Sequence, residues 1–99
     1  MRYENKQNLI PSEVRARIEK IYERNKNRMG FKSLEGITND NTSLIFTIKT
    51  RLDEEVTIEM LFEEGAVSVD KKYVRLEYPM VLRYIDEIVE EAVTATQTL

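Results

Sequence analysis

Two consecutive segments of the chain alternate between apolar and polar residues, and this pattern constrains the fold more than any other feature. In residues 43–52 the apolar side comprises Leu44, Phe46, Ile48 and Leu52. In residues 55–63 it comprises Val56, Ile58, Met60 and Phe62. A period of two is typical of strands with one buried face. The segments therefore predict neighbouring antiparallel strands whose apolar face must be covered.

The parity of the apolar positions limits how these strands pair, because partners across a sheet must share a face. A connection centred on Glu54 satisfies this condition and predicts the pairs Ile48–Met60 and Phe46–Phe62, with Lys49 opposite Glu59. A tight turn at residues 64–65 then predicts the pairs Phe62–Val67 and Met60–Val69. The expected topology is an antiparallel meander.

The parity changes after Val69, since the next apolar positions are Val74, Leu76 and Tyr78. One interpretation is a turn at residues 70–72 that leads to a further strand. The other is a single long strand with a bulge. We favour the turn. Upstream, the segment SLEGI at residues 33–37 is compatible with a short strand, and TNDNTS at 38–43 is rich in turn-forming residues.

A helix on each side completes the predicted fold. Ser12 is a suitable N-cap, Gly30 suits a left-handed C-terminal residue, and apolar residues recur at helical spacing across 13–29. Pro79 precedes a second helical pattern across 79–95. The sequence thus predicts an α+β domain: an N-terminal helix, an antiparallel meander of three to five strands and a C-terminal helix. We expect both helices on one sheet face, packing Ile18, Ile21, Ile85 and Val89 against the strands.

The 99 residues suffice for one domain, which we place at residues 11–95. Residues 1–10 are interpreted as a polar arm, with packing of Leu9 and Ile10 as the alternative, and residues 96–99 as a tail. We found no apolar run of the length of a signal peptide or a membrane span. The expected location is therefore cytoplasmic, with no membrane association.

Charge divides unevenly along the chain. Residues 1–33 contain nine basic and four acidic side chains, a formal charge of +5, and residues 34–99 contain six basic and fourteen acidic, a formal charge of −8. On a helical wheel, four basic residues form one stripe beside the apolar face of the first helix: Arg17, Lys20, Arg24 and Arg28. Three interpretations stay open: pairing with the protein's own carboxylates, an acidic protein partner, or nucleic-acid phosphates. The first is favoured.

The second helix has an apolar arc of about 180°, wider than a single sheet face requires. Glu87, Glu90 and Glu91 lie in its C-terminal half, where they oppose the helix dipole unless a basic surface is near. The arc predicts contact on two sides, with the first helix or with another subunit. The candidate dimer surface comprises Val81, Tyr84, Ile88 and Ala92.

The residue types narrow the chemistry. Without histidine or cysteine, Ser-His and Cys-His catalysis and His- or thiolate-based metal sites are excluded. The three glycines form no phosphate-binding loop. The carboxylate pairs at residues 53–55 and 63–64 fall in predicted turns, where we expect solvated side chains, ahead of a weak cation site or catalysis. No catalytic, cofactor or metal residue is predicted.

The expected function is that of a non-enzymatic protein-interaction module acting as a homodimer. The element order is similar to that of small acidic secretion chaperones and of small phage accessory proteins, without a shared motif. The resemblance implies an accessory, inhibitor or chaperone-like protein, viral or encoded by a mobile element. The alternative is nucleic-acid binding through the basic stripe, and an enzyme built on carboxylates ranks last.

Overall fold

In the computed structural model, which describes residues 1–95, five antiparallel strands form one sheet covered by two helices. The strand order is β1-β5-β4-β3-β2. Along the chain the elements are β1 (Arg2–Glu4), α1 (Pro11–Met29), β2 (Phe31–Asn39), β3 (Ser43–Thr50), β4 (Glu55–Glu63), β5 (Ala66–Tyr73) and α2 (Met80–Thr94). The predicted fold class is confirmed. The predicted tail, 96–99, lies outside the described residues.

The core lies between the two helices and the sheet face that carries Phe46 and Ile58. The four helix residues expected there, Ile18, Ile21, Ile85 and Val89, are all buried. On the strands, Phe46, Ile48, Ile58 and Met60 are buried and Phe62 is partly so. Because α1 and α2 also contact each other, the wide apolar arc of α2 is covered by the sheet on one side and by α1 on the other.

The strand register agrees with the prediction in one hairpin and differs in the other. Phe62 pairs with Val67 and Met60 with Val69, as predicted. In the β3–β4 hairpin, however, Ile48 pairs with Val56, four positions before the predicted Met60. The even shift keeps the side chains that lie within the two strands on their predicted faces.

The shift in the β3–β4 register arises from the loop at residues 51–54. Strand β3 already ends at Thr50, whose amide donates to the carbonyl oxygen of Glu54 at 2.9 Å. Asp53 has a positive φ of 60°, a conformation that Asp tolerates better than most residues. Leu52 therefore belongs to the loop and is exposed, so its predicted inward position is wrong.

Residues 70–78 match neither sequence interpretation. Strand β5 runs through Lys71 and Lys72 in regular register and ends at Tyr73, opposite Val56. The chain then leaves the sheet, and Val74 is fully exposed. The change of parity marks the end of the strand rather than a turn or a bulge.

The first ten residues contain a strand that the sequence did not predict. Strand β1 pairs with β5 over three residues. Asn5 then closes the loop to α1: its side-chain amide donates to the carbonyl oxygen of Leu9, and its Oδ1 accepts from the amide of Leu9, both at 2.9 Å. Leu9 is buried and Ile10 is exposed. The alternative prediction, that both residues pack on the domain, therefore holds for Leu9 alone.

The start of α1 also differs from the predicted cap. The N-cap position is Ile10, followed by Pro11 at the first helical position. Glu13 Oε1 accepts a hydrogen bond from the Ile10 amide at 3.1 Å, so this carboxylate and not Ser12 completes the helix start. Gly30 adopts the expected left-handed conformation, with φ of 71°.

Tyr3 in β1 should make stability sensitive to alkaline pH. Burial, followed by the negative charges of Asp86 and Glu90, raises the pKa of Tyr3 from 10.0 to about 12. As pH rises through this window the unfolded chain releases the tyrosine proton first, so the free energy of unfolding falls. Tyr3→Phe should flatten that alkaline slope in urea titrations. An unchanged slope would contradict the assignment to Tyr3.

Candidate interaction surface

The basic stripe of α1 lies against α2. Arg17 Nη1 donates to the carbonyl oxygens of Ala92 and Ala95 at 3.2 and 2.9 Å. These carbonyls belong to the C-terminal end of α2, where helix carbonyls lack intrahelical partners and the dipole is negative. The last turn of α2 has no basic residue of its own, so Arg17 supplies the missing cation.

Two other residues of the stripe lie further along the same contact. Arg24 forms an ion pair with Glu91. Arg28 lies 3.9 Å from a carboxylate oxygen of Glu87, and its guanidinium lies 5.9 Å from the ring centroid of Tyr84. Lys20 is exposed and forms no ion pair with any residue in 1–95. Three of the four cations thus contact α2, which favours the internal pairing of the stripe.

Reversing the Arg24–Glu91 pair should change stability only slightly, because both side chains are largely exposed. Arg24→Glu alone should lower the free energy of unfolding by about 0.2–1 kcal/mol. The double variant Arg24→Glu/Glu91→Arg should recover most of that loss at low salt. Urea titrations of the four-member cycle measure the coupling, and a double variant no better than Arg24→Glu would contradict the pairing.

The predicted dimer surface is not available on the folded chain. Ile88 is 1% exposed, Ala92 0% and Val81 7%, since α1 and the sheet cover them. Tyr84 alone is partly exposed. Three of the four predicted residues therefore belong to the core of the single chain. The contact with α1, the other alternative for the wide apolar arc, accounts for the width of that arc.

The carboxylates at residues 53–55 are not equivalent, contrary to the expectation of solvated turns. Glu54 is buried, at 5% exposure, whereas Asp53 and Glu55 are exposed. Glu54 Oε2 accepts hydrogen bonds from the backbone amides of Glu77 and Tyr78 at 2.7 and 3.1 Å. This side chain ties the β3–β4 loop to the segment before α2. Within residues 1–95 no three Asp or Glu side chains are grouped to hold a metal ion.

Glu54 holds together a surface of exposed apolar side chains, which we call the apolar end. Its members are Leu52, Tyr78 and Met80, with exposures of 62%, 54% and 54%, and the partly exposed Tyr84. All four line one pocket of about 250 Å³, which we call the end pocket. Tyr73 and Val74, also exposed, line a neighbouring groove beyond Asp53.

The apolar end has only a weak signal in the sequence. Leu52 continues the alternation of residues 43–52 and was predicted to face inward, and only the acidic residues that follow it indicate a turn. Met80 stands at a predicted helix start, where a single exposed apolar residue is common. Only the fold shows that the loop at 51–54 and the segment 74–80 meet.

A second apolar area lies on the sheet face opposite the helices. Ile45 and Leu61, expected as a small exposed spot, are 37% and 48% exposed. They line a groove together with polar and acidic residues, among them Glu59 and Asp70. Met1, which is 65% exposed, lines the same groove, so three large apolar side chains are exposed there among charged ones.

Comparisons with known proteins add no functional information. No family model, curated protein or solved structure matches the chain. In the described part of the chain, neither helix combines the length and apolar character needed to cross a membrane.

Proposed function

We propose that this chain is a non-enzymatic protein-interaction module that binds a partner protein through the apolar end. The observation that carries the proposal is the clustering of Leu52, Tyr78 and Met80 around one pocket. Apolar side chains that converge on a pocket are typical of the central contacts of protein interfaces. Their burial contributes about 25 cal/mol per Å² before the costs of association.

The anchoring of the apolar end supports the same proposal. Glu54 accepts two backbone hydrogen bonds from the segment that carries Tyr78, and it adds a contact to the hydroxyl of Thr50 at 3.3 Å. A surface held in its binding geometry loses less conformational entropy on association. The hydrogen bonds of Glu54 therefore support a role of the apolar end in binding, because a loop that exposed Leu52 by chance would not need to be held in place.

Nucleic-acid binding, the alternative, has less support. The stripe of Arg17, Arg24 and Arg28 would have to give up its contacts with α2 in order to reach phosphates. The homodimer stays a prediction, but its expected surface is buried. Light scattering over a range of protein concentrations tests it directly.

Met80→Glu should abolish partner binding while the domain stays folded, because Met80 is exposed and its replacement places a charge at the end pocket. The measurement uses immobilised wild-type and variant chains to capture proteins from cells that express this protein natively. Leu61→Glu, on the opposite sheet face, is the matched control. The proposal requires a partner that the wild type and Leu61→Glu retain and Met80→Glu loses, confirmed by calorimetry with the purified proteins.

The proposed function fails if Met80→Glu and the wild type capture the same proteins with equal affinity. It also fails if Leu61→Glu, and not Met80→Glu, loses the partner, since the sheet face would then be the binding surface. Circular dichroism of both variants confirms that any loss is not due to unfolding.

A further inference from the structure

We infer that the end pocket receives an apolar side chain from an acidic segment of the partner, with carboxylates next to that side chain. This inference rests on the proposed function and adds the chemical class of the ligand. It follows from the size of the pocket and from the charges around it.

The end pocket fits a side chain better than a cofactor. Its volume of about 250 Å³ lies below the ~300–1,000 Å³ common for small-molecule sites. Leu52, Tyr78 and Met80 surround it, and Met29 and Val81 also contribute to its walls. An apolar side chain would be surrounded by apolar atoms there.

Two arginines beside the pocket have no carboxylate partner within the described residues. Arg51 lines the pocket, and its guanidinium donates to Asn27 Oδ1 at 3.0 Å, a neutral acceptor. Arg83 is exposed on α2 between Met80 and Tyr84 in sequence, about 60° around the helix from Met80. Arg51 therefore belongs to the pocket lining, and helix geometry places Arg83 on the α2 surface next to Met80.

Arg51 and Arg83 differ from most basic residues of this protein in having no ion pair within residues 1–95. Of the fifteen Lys and Arg residues, eleven form ion pairs within residues 1–95. The four others are Arg17, Lys20, Arg51 and Arg83, and Arg17 is bound to helix carbonyls. Two of the four unpaired cations thus lie at one small apolar surface.

Most carboxylates near the pocket have partners. Glu55 is exposed and has no ion pair within residues 1–95, but it stands opposite Lys49 in the sheet, and Glu77 lies 3.8 Å from Arg75. Glu54 accepts backbone hydrogen bonds, Asp53 lies 3.8 Å from Lys32, and Glu87 faces Arg28. Glu54 is buried and directs its oxygens to backbone amides, whereas Arg51 lines the pocket and its guanidinium group has no opposite charge beside it within residues 1–95. The exposed charge that a ligand would meet is therefore positive. An acidic segment of a partner complements this positive charge. A second copy of the chain, docked symmetrically, would place Arg51 and Arg83 of both copies in one interface, and repulsion between these like charges would oppose that.

The test uses two labelled synthetic peptides that share a central leucine-phenylalanine anchor. One peptide has glutamates on both sides of the anchor, and the other has lysines at the same positions. Fluorescence anisotropy should give at least about tenfold tighter binding of the acidic peptide at low salt, with the difference decreasing as salt rises. Met80→Glu should remove binding of the acidic peptide.

Arg51→Glu/Arg83→Glu should reverse the preference, so that the lysine peptide binds more tightly. Lys6→Glu/Lys20→Glu changes the net charge equally at sites away from the pocket, and should keep the preference for the acidic peptide. Equal affinity of the wild type for both peptides overturns the inference, as does binding of neither. In both cases the Met80-dependent capture of a partner would still stand, so the two proposals fail separately.

Discussion

Ile88→Ala is expected to lower the free energy of unfolding by about 2–5 kcal/mol, the range found when a fully buried large aliphatic side chain is truncated. Ile88 is 1% exposed, in the cluster shared by both helices and the sheet. The loss combines the transfer free energy of the deleted methyl groups with the cavity left behind. Urea titration followed by circular dichroism measures it.

The same variant separates a core position from a subunit interface. If Ile88 belongs to the core of one chain, the loss is the same at low and at high protein concentration. Glu90→Ala, at an exposed position of the same helix, is the control and should stay within about 0.5 kcal/mol of the wild type. If the urea midpoint of the wild type rose with protein concentration and that of Ile88→Ala did not, Ile88 would lie in a dimer interface.

The sequence predicted which residues face the core better than it predicted strand pairing. Alternation assigned Phe46, Ile48 and Ile58 to the buried face, and any even shift of register preserves that assignment. The predicted β3–β4 register was wrong because it depended on where β3 ends. That boundary is set by the backbone of Thr50 and Glu54, which the apolar pattern does not report.

No pattern in the sequence predicts strand β1, because its extended conformation depends on contacts with the rest of the fold. Its three residues are held by pairing with β5, and the Asn5 side chain then closes the following loop onto the backbone of Leu9. A strand this short has neither a measurable period nor independent stability. The position of β1 in the strand order therefore depends on the free edge of β5, with which it pairs.

The candidate site was only partly predictable for a related reason. The stripe on α1 was located correctly by helical spacing, but its partners on α2 depend on how the two helices cross. The wide arc on α2 has the same appearance in sequence whether a helix or a subunit covers it. The apolar end combines two segments about 25 residues apart in sequence, and no local pattern connects them.

Glu54→Ala is expected to destabilise the protein by about 2–4 kcal/mol, since two backbone amides would lose a charged acceptor. Those amides belong to Glu77 and Tyr78, in the segment that leads into α2. Glu55→Ala, at the exposed adjacent position, removes the same charge and is the matched control, with an expected change of at most about 0.5 kcal/mol.

The loss should appear first at the apolar end, because Glu54 connects the loop at 51–54 to the segment that carries Tyr78. Hydrogen exchange should accelerate at the amides of Glu77 and Tyr78 in Glu54→Ala and stay at the wild-type rate in Glu55→Ala. Binding of the acidic peptide should weaken in Glu54→Ala under conditions where the domain is still folded. If exchange and peptide binding were both unchanged, Glu54 would not hold the apolar end in place, and the pocket geometry would have to depend on the packing of Met29 and Val81 alone.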